Sequence, residues 1–457
     1  MKIIKGGSVV SGDGVCQLDV GLDHGLIAAL APNIVPAPND ELIDAAGCLI
    51  FPGFIDAHTH FDLNTGACIT ADDFASGTRA ALAGGTTTII DFATQDKGMS
   101  LAEALAIWHS KAEGRSSCHY GFHMAITDWQ EATRAELPRM VEAGVSSFKL
   151  YMAYDALRVD DGALLSVVRE MKRVNGLVGV HCENGTLVNK MVKDQLDAGN
   201  TGPSAHPRSR PQEVEAEAVS RLLYISRLAD WPVCVVHLST QLGLMEIEAA
   251  RTAGQTVVVE TCPQYLTLTD EVYELPGFEG AKFVCSPPIR KDHDRVALRD
   301  ALLDGRIDTV ATDHCSFHYE GQKTLGVGDF SKIPNGLPGV EHRPELIYTE
   351  FVHSGLMGSE GMCRLLSETP AKRYGMYPRK GAVAVGSDGD LVIWNPAARR
   401  TISAKTQNQN VDYTPFEGYQ SRGCARMVLL AGEICAEHGR VTKQNQGRYV
   451  HRGAPQF

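Results

Sequence analysis

The residues with the clearest chemical potential are histidines, a lysine and an aspartate that stand at the ends of apolar runs. His58 and His60 end the run that begins at Phe54, and side chains two apart on a strand point to the same face. Two imidazoles on one face can hold a metal ion. Similar positions later in the chain are occupied by Lys149, His181, His237 and Asp313. One such histidine would suit a packed core, but six positions of this kind indicate a metal site.

Lys149 is the unexpected member of this set. An ammonium group would be repelled by divalent cations, and burial would lower its pKa. A neutral amine can add carbon dioxide to form a carbamate, and that anion can bridge two metal ions. We therefore predict a site for two ions that share Lys149. Each ion has its own group of further ligands. His58, His60 and Asp313 would bind one ion, and His181 and His237 would bind the other. The alternative, a lysine that extends into solvent, is disfavoured by the apolar residues beside it.

These residues must be positioned by strands, and the middle of the chain contains eight short β-rich runs separated by helical patterns. The runs are Phe54–His60, Thr86–Phe92, His119–Ile126, Ser146–Met152, Leu177–Cys182, Val233–Leu238, Thr256–Thr261 and Ile307–Thr312. Eight strand–helix units in about 260 residues match a (β/α)8 TIM-type barrel, whose active sites lie at the carboxyl ends of the strands. A doubly wound open sheet is the alternative, but it normally carries a glycine-rich phosphate turn that is missing here.

Two of the helical segments have clear boundaries. The segment Pro211–Ala229 begins with proline and has apolar residues three and four apart, and Asp73–Ala83 is followed by a glycine pair that is typical of a helix C-cap. We interpret Glu213, Glu215 and Glu217 as one solvated face of the first of these helices.

The two ends of the chain have a different texture. Residues 1–50 and 380–457 contain short apolar runs interrupted by glycine and aspartate. We expect them to form one small β-sandwich domain built from both termini. The predicted division is 1–50 for the N-terminal part of that domain, 51–379 for the barrel, and 380–457 for its C-terminal part and a tail.

Composition excludes several classes of function. Asp and Glu outnumber Lys and Arg by 55 to 43, which gives a net charge of −12 and argues against nucleic-acid binding. Apolar runs are far shorter than the roughly 18 residues of a membrane span. The first residues lack the apolar core of an export signal, and the twelve cysteines show no Cys-x-x-Cys spacing. We therefore expect a cytoplasmic protein without a membrane or nucleic-acid partner.

Several motifs together resemble the hydantoinase/dihydropyrimidinase group of cyclic amidohydrolases, within the amidohydrolase superfamily. They are Phe51–His60, Gly84–Phe92, Ser147–Tyr154, His181–Asn184, Glu260–Leu266, Ser286–Pro288, Asp313–Ser316, Pro334–Gly336 and Asp412–Gly418. The resemblance extends over essentially the whole chain. His-x-His alone recurs across the superfamily, whereas Lys149 combined with Tyr154 and Asn335 is typical of the cyclic-amide branch.

The resemblance implies a mechanism for the predicted site. It implies two Zn²⁺ ions per subunit, or other divalent ions, bridged by N6-carboxylated Lys149 and a hydroxide that attacks a ring amide carbon. Asp313 would be both metal ligand and general acid/base, and the Tyr154 hydroxyl would stabilise the developing oxyanion. Backbone groups at Ser286 and Asn335 would bind the cyclic –CO–NH–CO– edge of the substrate. An aromatic lining role is the alternative for Tyr154.

The resemblance also implies the substrates. It predicts hydrolysis of 5-monosubstituted hydantoins, of D-type, or of dihydropyrimidines to N-carbamoyl amino acids. Allantoin or another cyclic imide is the alternative substrate, and a non-catalytic scaffold is the alternative class. Such scaffolds lack the six-residue metal set that this chain retains. Relatives form dimers and tetramers, so a homo-oligomer, with a homotetramer as one form, is expected.

Two segments differ in sequence from the best-known members of this group. Thr65 stands where D-hydantoinases often carry a bulky apolar residue, and the segment 155–159 is shorter and contains Arg158. In the family these loops face the exocyclic substituent of the substrate. Arg158 either favours an acidic or polar substituent or points into water, and we favour water.

Overall fold

The computed structural model describes all residues from 1 to 457, and strands alternate with helices through the middle of the chain. The strands are β1 (Lys2–Lys5), β2 (Ser8–Ser11), β3 (Gly14–Gln17), β4 (Asp19–Asp23), β5 (Leu26–Ala31), β6 (Glu41–Asp44), β7 (Leu49–Pro52), β8 (Phe54–Thr59), β9 (Thr86–Thr94), β10 (His119–Ala125), β11 (Ser147–Tyr151), β12 (Leu177–His181), β13 (Val233–Val235), β14 (Val257–Thr261), β15 (Thr309–Val310), β16 (Leu391–Thr401), β17 (Gln420–Leu430), β18 (Glu433–Glu437) and β19 (Arg440–Val441).

The helices follow the same alternation. They are α1 (Phe74–Gly84), α2 (Leu101–Ala112), α3 (Glu131–Glu142), α4 (Asp161–Val174), α5 (Gly185–Asp197), α6 (Ala205–Arg208), α7 (Gln212–Ala229), α8 (Gln241–Thr252), α9 (Pro263–Thr267), α10 (Asp292–Leu303), α11 (Arg343–Ile347), α12 (Ser359–Cys363) and α13 (Thr369–Arg373). Short 3-10 turns occupy Asp270–Glu274, Glu279–Phe283, Lys323–Gly326 and Phe330–Lys332, and π turns occupy Tyr348–His353 and Arg364–Glu368. None of the helices combines the length and the apolar character needed to cross a bilayer.

Strands β8 to β15 form one parallel sheet in which every strand pairs with its neighbour in the chain. Seven of the eight predicted runs contain one of these strands and the eighth, Thr86–Phe92, covers all of β9 except its last two residues, so the (β/α)8 barrel is confirmed. The strands are almost wholly buried, as expected when side chains fill the inside of a barrel and helices cover the outside.

The first and last strands meet at their carboxyl ends. The backbone N–H of His60 donates to the carbonyl of His314 at 2.8 Å, and Thr59 and His314 form a parallel bridge. The buried carboxylate of Asp56 accepts from the backbone N–H of Thr312 at 3.1 Å and from its hydroxyl at 2.7 Å. The barrel is therefore closed where the predicted metal ligands of β8 and β15 lie.

Helix boundaries follow capping chemistry. Asp73 accepts from the backbone N–H groups of Ala75 and Ser76, and α1 ends at Gly85, whose φ of +103° suits glycine. Helix α7 begins after Pro211 and buries most of its apolar residues against the barrel, while Tyr224 and Leu228 stay exposed. Both segments were predicted as helices within one residue of these bounds.

The prediction of a solvated face made of three glutamates on α7 is wrong for one of them. Glu213 and Glu217 are exposed, but Glu215 is only 2% exposed. Its carboxylate accepts from the N–H and hydroxyl of Ser239 at 3.0 and 2.8 Å and from the hydroxyl of Thr240. Residues two apart on a helix lie about 200° from each other around the axis, so Glu215 faces inward while its neighbours face water.

The chain ends form two further sheets. One has the order β5-β4-β1-β6, and the other, β19-β18-β17-β16-β7-β2-β3, joins strands from both termini. An apolar cluster that includes Ile4 and Val20 of the first sheet and Ile50, Leu391 and Leu429 of the second lies between them. Two sheets that share such a core form a sandwich. The division at residues 50 and 380 stays a prediction, and β7 spans the first of these positions.

The C-terminal tail returns to the barrel. Tyr449 forms a parallel bridge with Tyr120 of β10. The side chain of Arg452 is 1% exposed and donates to the Ser147 hydroxyl at 2.7 Å and to the Phe122 carbonyl. The tail therefore braces β10 and β11, the second of which carries Lys149.

Candidate active site

Five of the six predicted metal-binding side chains lie at or just beyond the carboxyl ends of barrel strands, and Lys149 lies two residues before the end of its strand. His58 lies in β8 and His60 directly follows it, Lys149 lies in β11, His181 ends β12, His237 follows β13, and Asp313 follows β15. The carboxyl ends of parallel strands open at one mouth of the barrel. The sheet therefore brings side chains together that are up to 255 residues apart, from His58 to Asp313.

His58, His60 and Asp313 form one compact group. Oδ1 of Asp313 lies 3.2 Å from Nε2 of His58 and 3.2 Å from Nε2 of His60. The three ligand atoms lie within 4.8 Å of one another and could hold a metal ion. Asp313 has a φ of +52°. Although burial raises the pKa of its carboxyl, the two histidines hold that pKa well below its usual value.

His181 and His237 form a second group. Nδ1 of His181 lies 3.1 Å from Nε2 of His237. The other nitrogen of His181, Nε2, lies 2.8 Å from the buried carboxylate of Glu183, which orients the ring. Burial lowers the pKa of both histidines. Neutral imidazoles are the form that binds metal ions.

Lys149 is 1% exposed, and its charge acts on His58 of the first group and on His181 and His237 of the second. Strands β11 and β12 pair so that Lys149 is opposite Gly179, and its Nζ lies 5.1 Å from the ring centre of Phe92. Burial lowers the pKa of Lys149 to about 8, against the attraction of Asp313 and Glu260. A larger fraction of this amine is therefore neutral near physiological pH than for a lysine in water.

One carboxylate beside the metal cluster was assigned no role from the sequence. Oε1 of Glu260 in β14 lies 2.6 Å from Nδ1 of His58, so the nitrogen of His58 that could bind a metal ion is the opposite one, Nε2, which faces Asp313. Burial opposes a charged His58, but Glu260 and Asp313 hold its pKa above the ordinary value. The negative charge of Glu260 and Asp313 that stabilises a protonated His58 would also stabilise a metal cation bound beside this ring. The signal in the sequence is a glutamate in the otherwise apolar run Val257–Thr261.

A second buried acid holds the segment that carries Asp313. Asp72 accepts from the Ser316 hydroxyl at 2.9 Å, and its Oδ2 lies 3.1 Å from Nε2 of His314. His314 in turn accepts at Nδ1 from the backbone N–H groups of Gly339 and Val340. These contacts leave His314 no free nitrogen, so it supports the segment instead of facing the cluster.

Tyr154 follows β11 in a left-handed conformation, with a φ of +66°. Its ring centre lies 5.2 Å from that of His181 and 5.7 Å from Cζ of Arg210. Arg210 donates to Glu183 at 2.6 Å. Burial raises the pKa of the Tyr154 phenol to about 12, with Arg210 acting in the opposite direction. The hydroxyl therefore keeps its proton at neutral pH and can donate it in a hydrogen bond.

Ser286 and Asn335 lie on two loops that touch each other. The backbone N–H of Gly336 donates to the carbonyl of Val284 at 3.0 Å. Ser286 is buried and its hydroxyl has no hydrogen-bond partner, while Asn335 is half-buried. Gly336 has a φ of +152°, and a Cβ there would lie 2.3 Å from the Cys315 carbonyl oxygen. Only glycine fits this junction.

The donor set fits divalent metal ions. Imidazoles and a carboxylate are ligands that suit zinc and similar ions, and the nitrogens at the second group belong to neutral rings. Nδ1 of His237 is buried without a hydrogen-bond partner. The arrangement can therefore hold cations next to Tyr154, whose ring lies 5.2 Å from that of His181.

Comparison with known proteins agrees with this site. Residues 49–435 match the amidohydrolase family. A D-hydantoinase from Geobacillus stearothermophilus is 42% identical over 99% of this chain and 96% of its own, and one from Streptomyces coelicolor is 41% identical over 100% and 98%. The crystal structure of a dihydropyrimidinase from Brevibacillus agri NCHU1002 superposes with a TM-score of 0.98, at 41% identity over 100% of this chain and 99% of that one. Identity at this level over nearly complete chains shows that this protein is an enzyme of the amidohydrolase family and belongs to its hydantoinase/dihydropyrimidinase group.

Proposed function

We propose that this enzyme hydrolyses the cyclic amide bond of 5-monosubstituted hydantoins, of D-type, or of dihydropyrimidines to give N-carbamoyl amino acids. The observation that carries the proposal is the convergence of two metal-competent groups and Lys149 at one barrel mouth. The ring centre of Tyr154 lies 5.2 Å from that of His181, a member of the second group. Relatives that align over nearly the whole of both chains are named D-hydantoinases and D-phenylhydantoinases. Their names support a hydantoin-type ring as the substrate and a preference for D-type substrates.

We assign the metal ligands as two groups that share Lys149 in its N6-carboxylated form. His58, His60 and Asp313 would hold one ion, and His181 and His237 the other. Bound as a pair, zinc or other divalent ions supply a hydroxide nucleophile at neutral pH and polarise the substrate carbonyl. The buried position of Lys149 and its lowered pKa favour the neutral amine that carboxylation requires.

Asp313 would transfer the proton. Its pKa is held well below the usual range by the two neighbouring histidines, so the carboxylate is ionised and ready to accept a proton as the nucleophile attacks. The same proton would then pass to the ring nitrogen as the C–N bond breaks. General acid/base catalysis by a positioned group typically contributes about 10²- to 10⁴-fold.

Tyr154 would stabilise the negative charge that develops on the carbonyl oxygen. Its pKa of about 12 keeps the hydroxyl protonated, and a hydroxyl aimed at a developing oxyanion is worth more in a water-poor site than in solvent. Backbone groups at Ser286 and Asn335 would hold the –CO–NH–CO– edge of the ring, so that the scissile carbonyl faces the cluster.

Two alternatives to hydantoin or dihydropyrimidine hydrolysis are separated by the experiment below. Allantoin or another cyclic imide presents the same amide edge and differs only in its exocyclic group. A non-catalytic scaffold is disfavoured because all six predicted metal-binding residues are present and lie on barrel strands or just after them. We also propose a homo-oligomer, a dimer or tetramer, on the basis of the family.

The test is metal content measured together with ring opening. Metal is quantified by ICP mass spectrometry, and hydrolysis of dihydrouracil, hydantoin, 5-phenylhydantoin and allantoin is followed for wild type, Lys149→Ala and a control, Lys172→Ala. Lys172 is a surface lysine paired with Asp230. We expect about two ions per chain and ring opening in wild type and control, and the loss of both in Lys149→Ala. A metal-free wild type that stays inactive after addition of zinc and bicarbonate would contradict the proposal.

A further inference from the structure

Lys323 is a fully buried lysine without a carboxylate partner. It begins the 3-10 turn Lys323–Gly326 and has no exposed surface. Its ammonium donates three hydrogen bonds, to the backbone carbonyls of Val284 at 2.7 Å, Pro334 at 2.6 Å and Gly336 at 2.8 Å. Lysine is almost never fully buried unless it is paired, and an ammonium has three donors and no acceptor. The three carbonyls therefore satisfy every donor of this side chain.

These carbonyls belong to the two loops assigned to the substrate. Val284 lies two residues before Ser286, and Pro334 and Gly336 lie on either side of Asn335. The direct bond from the Gly336 N–H to the Val284 carbonyl joins the loops at one further point. One charged group thus holds both loops at a fixed separation.

The bond to Pro334 also acts on the next residue. The carbonyl of Pro334 and the N–H of Asn335 belong to the same peptide group. An ammonium bound to the carbonyl polarises that peptide and strengthens the N–H as a donor, as in other chains of hydrogen bonds. Lys323 thereby reaches a group assigned to the imide edge without touching the substrate.

The surroundings of Lys323 contain no opposing charge. The titratable groups that interact with it are the thiols of Cys68, Cys285 and Cys315 and the imidazole of His206. Burial raises the pKa of each thiol and lowers the pKa of His206 to about 3, so all four groups are neutral. Burial lowers the pKa of Lys323 to about 7, whereas the three hydrogen bonds to backbone carbonyls favour the charged form. Burying this group carries a desolvation cost that an apolar side chain would avoid, which suits a role other than packing.

We propose that Lys323 is a positioning residue that sets the separation and polarity of the two loops that hold the cyclic –CO–NH–CO– edge. The inference rests on the proposed function, because the edge is assigned through that reaction. Contacts to the edge are made in both the bound substrate and the transition state, and the loss of such uniform binding raises KM more than it lowers kcat.

The experiment compares Lys323→Met and Lys323→Arg with wild-type holoenzyme. The matched control is Lys380→Met, a buried lysine that binds Asp388 and Asp390 beside the terminal sheets. Steady-state kinetics on dihydrouracil and hydantoin are combined with metal content and with amide hydrogen exchange over residues 284–287 and 334–337. We expect at least a tenfold rise in KM, less than a threefold change in kcat, and at least tenfold faster exchange in both loops for Lys323→Met. Lys323→Arg should recover part of each change.

The Lys380→Met control separates an effect on the position of the two loops from an effect on the stability of the whole protein. Lys380→Met should lower the melting temperature and leave KM and loop exchange unchanged. A Lys323→Met enzyme with wild-type KM and wild-type loop exchange overturns the inference. If Lys323→Met does not fold, Lys323→Gln, which keeps two donors but no charge, is judged by the same two readouts. A wild type that opens neither ring would defeat the proposed function, while loop exchange would still test the role of Lys323.

Discussion

Nδ1 of His58 lies 2.6 Å from Oε1 of Glu260, and both side chains are buried inside the barrel. This contact joins β8 to β14, which are not adjacent in the sheet. It fixes the orientation of the imidazole so that Nε2 points to Asp313 at 3.2 Å. A carboxylate in this position raises the basicity of a ligating histidine.

Glu260→Gln should weaken metal binding. The amide keeps the shape and one acceptor but removes the negative charge behind His58, so we expect affinity to fall about 10- to 100-fold. Metal retention is measured by titration with a chelator. The control is Glu341→Gln, a buried glutamate that binds Asn408 and should retain metal as wild type does. Equal retention in Glu260→Gln and wild type would show that Glu260 does not tune the site.

Tyr154→Phe should lower kcat with little change in KM. Removing one donor to a developing oxyanion typically costs about 10²- to 10³-fold in rate. Steady-state kinetics on hydantoin test this prediction, and metal content should stay unchanged. Tyr348→Phe, a buried tyrosine that packs on Trp394, serves as the control. If Tyr154→Phe retains wild-type kcat, the residue only lines the site.

Protonation of Asp390 should lower the stability of the folded protein in acid. Burial raises the pKa of its carboxyl, but Lys380 and His119 outweigh burial and hold that pKa well below the usual value. The unfolded chain, with an ordinary pKa of about 3.9, then binds more protons than the folded one below roughly pH 4 to 5. The contribution of Asp390 to stability is therefore complete above that range and is lost as the pH falls through and below it.

Urea unfolding of wild type and Asp390→Asn between pH 7 and pH 3 checks this prediction. At pH 7 the variant should be less stable by about 1–3 kcal/mol, because Lys380 loses one of its two carboxylate partners and keeps only Asp388. The difference between the two proteins should shrink as the pH falls. A difference that stays constant over this range would exclude Asp390 as the acid-sensitive group.

Arg158→Ala should not change substrate preference. The Arg158 guanidinium is paired with Asp155 at 2.9 Å and donates to the Thr186 hydroxyl at 2.9 Å, and 36% of the side chain is exposed. Its charge is already compensated at the surface. We expect the ratio of kcat/KM for 5-phenylhydantoin to that for hydantoin-5-acetate to change less than twofold. A selective loss of activity on the acetate would instead show that Arg158 recognises an acidic substituent.

The barrel was predictable from the sequence because its signal is local. Apolar runs of six to eight residues separated by helical patterns identify strands, and capping residues such as Asp73 and Gly85 mark helix ends. The histidines at strand ends stand out for the same reason, since a polar residue that follows an apolar run is visible without any knowledge of the fold.

Contacts between distant segments were decided only by the tertiary structure. Glu215 was predicted to be solvated, and Glu260 and Lys323 were assigned no role, because burial of a charged residue depends on partners that lie elsewhere in the chain. Closure of the barrel places Glu260 beside His58, 202 residues away, and the packing of two loops places three carbonyls around Lys323. Residue type and spacing determine which groups can do chemistry, whereas long-range packing determines which of them are oriented, charged and held together.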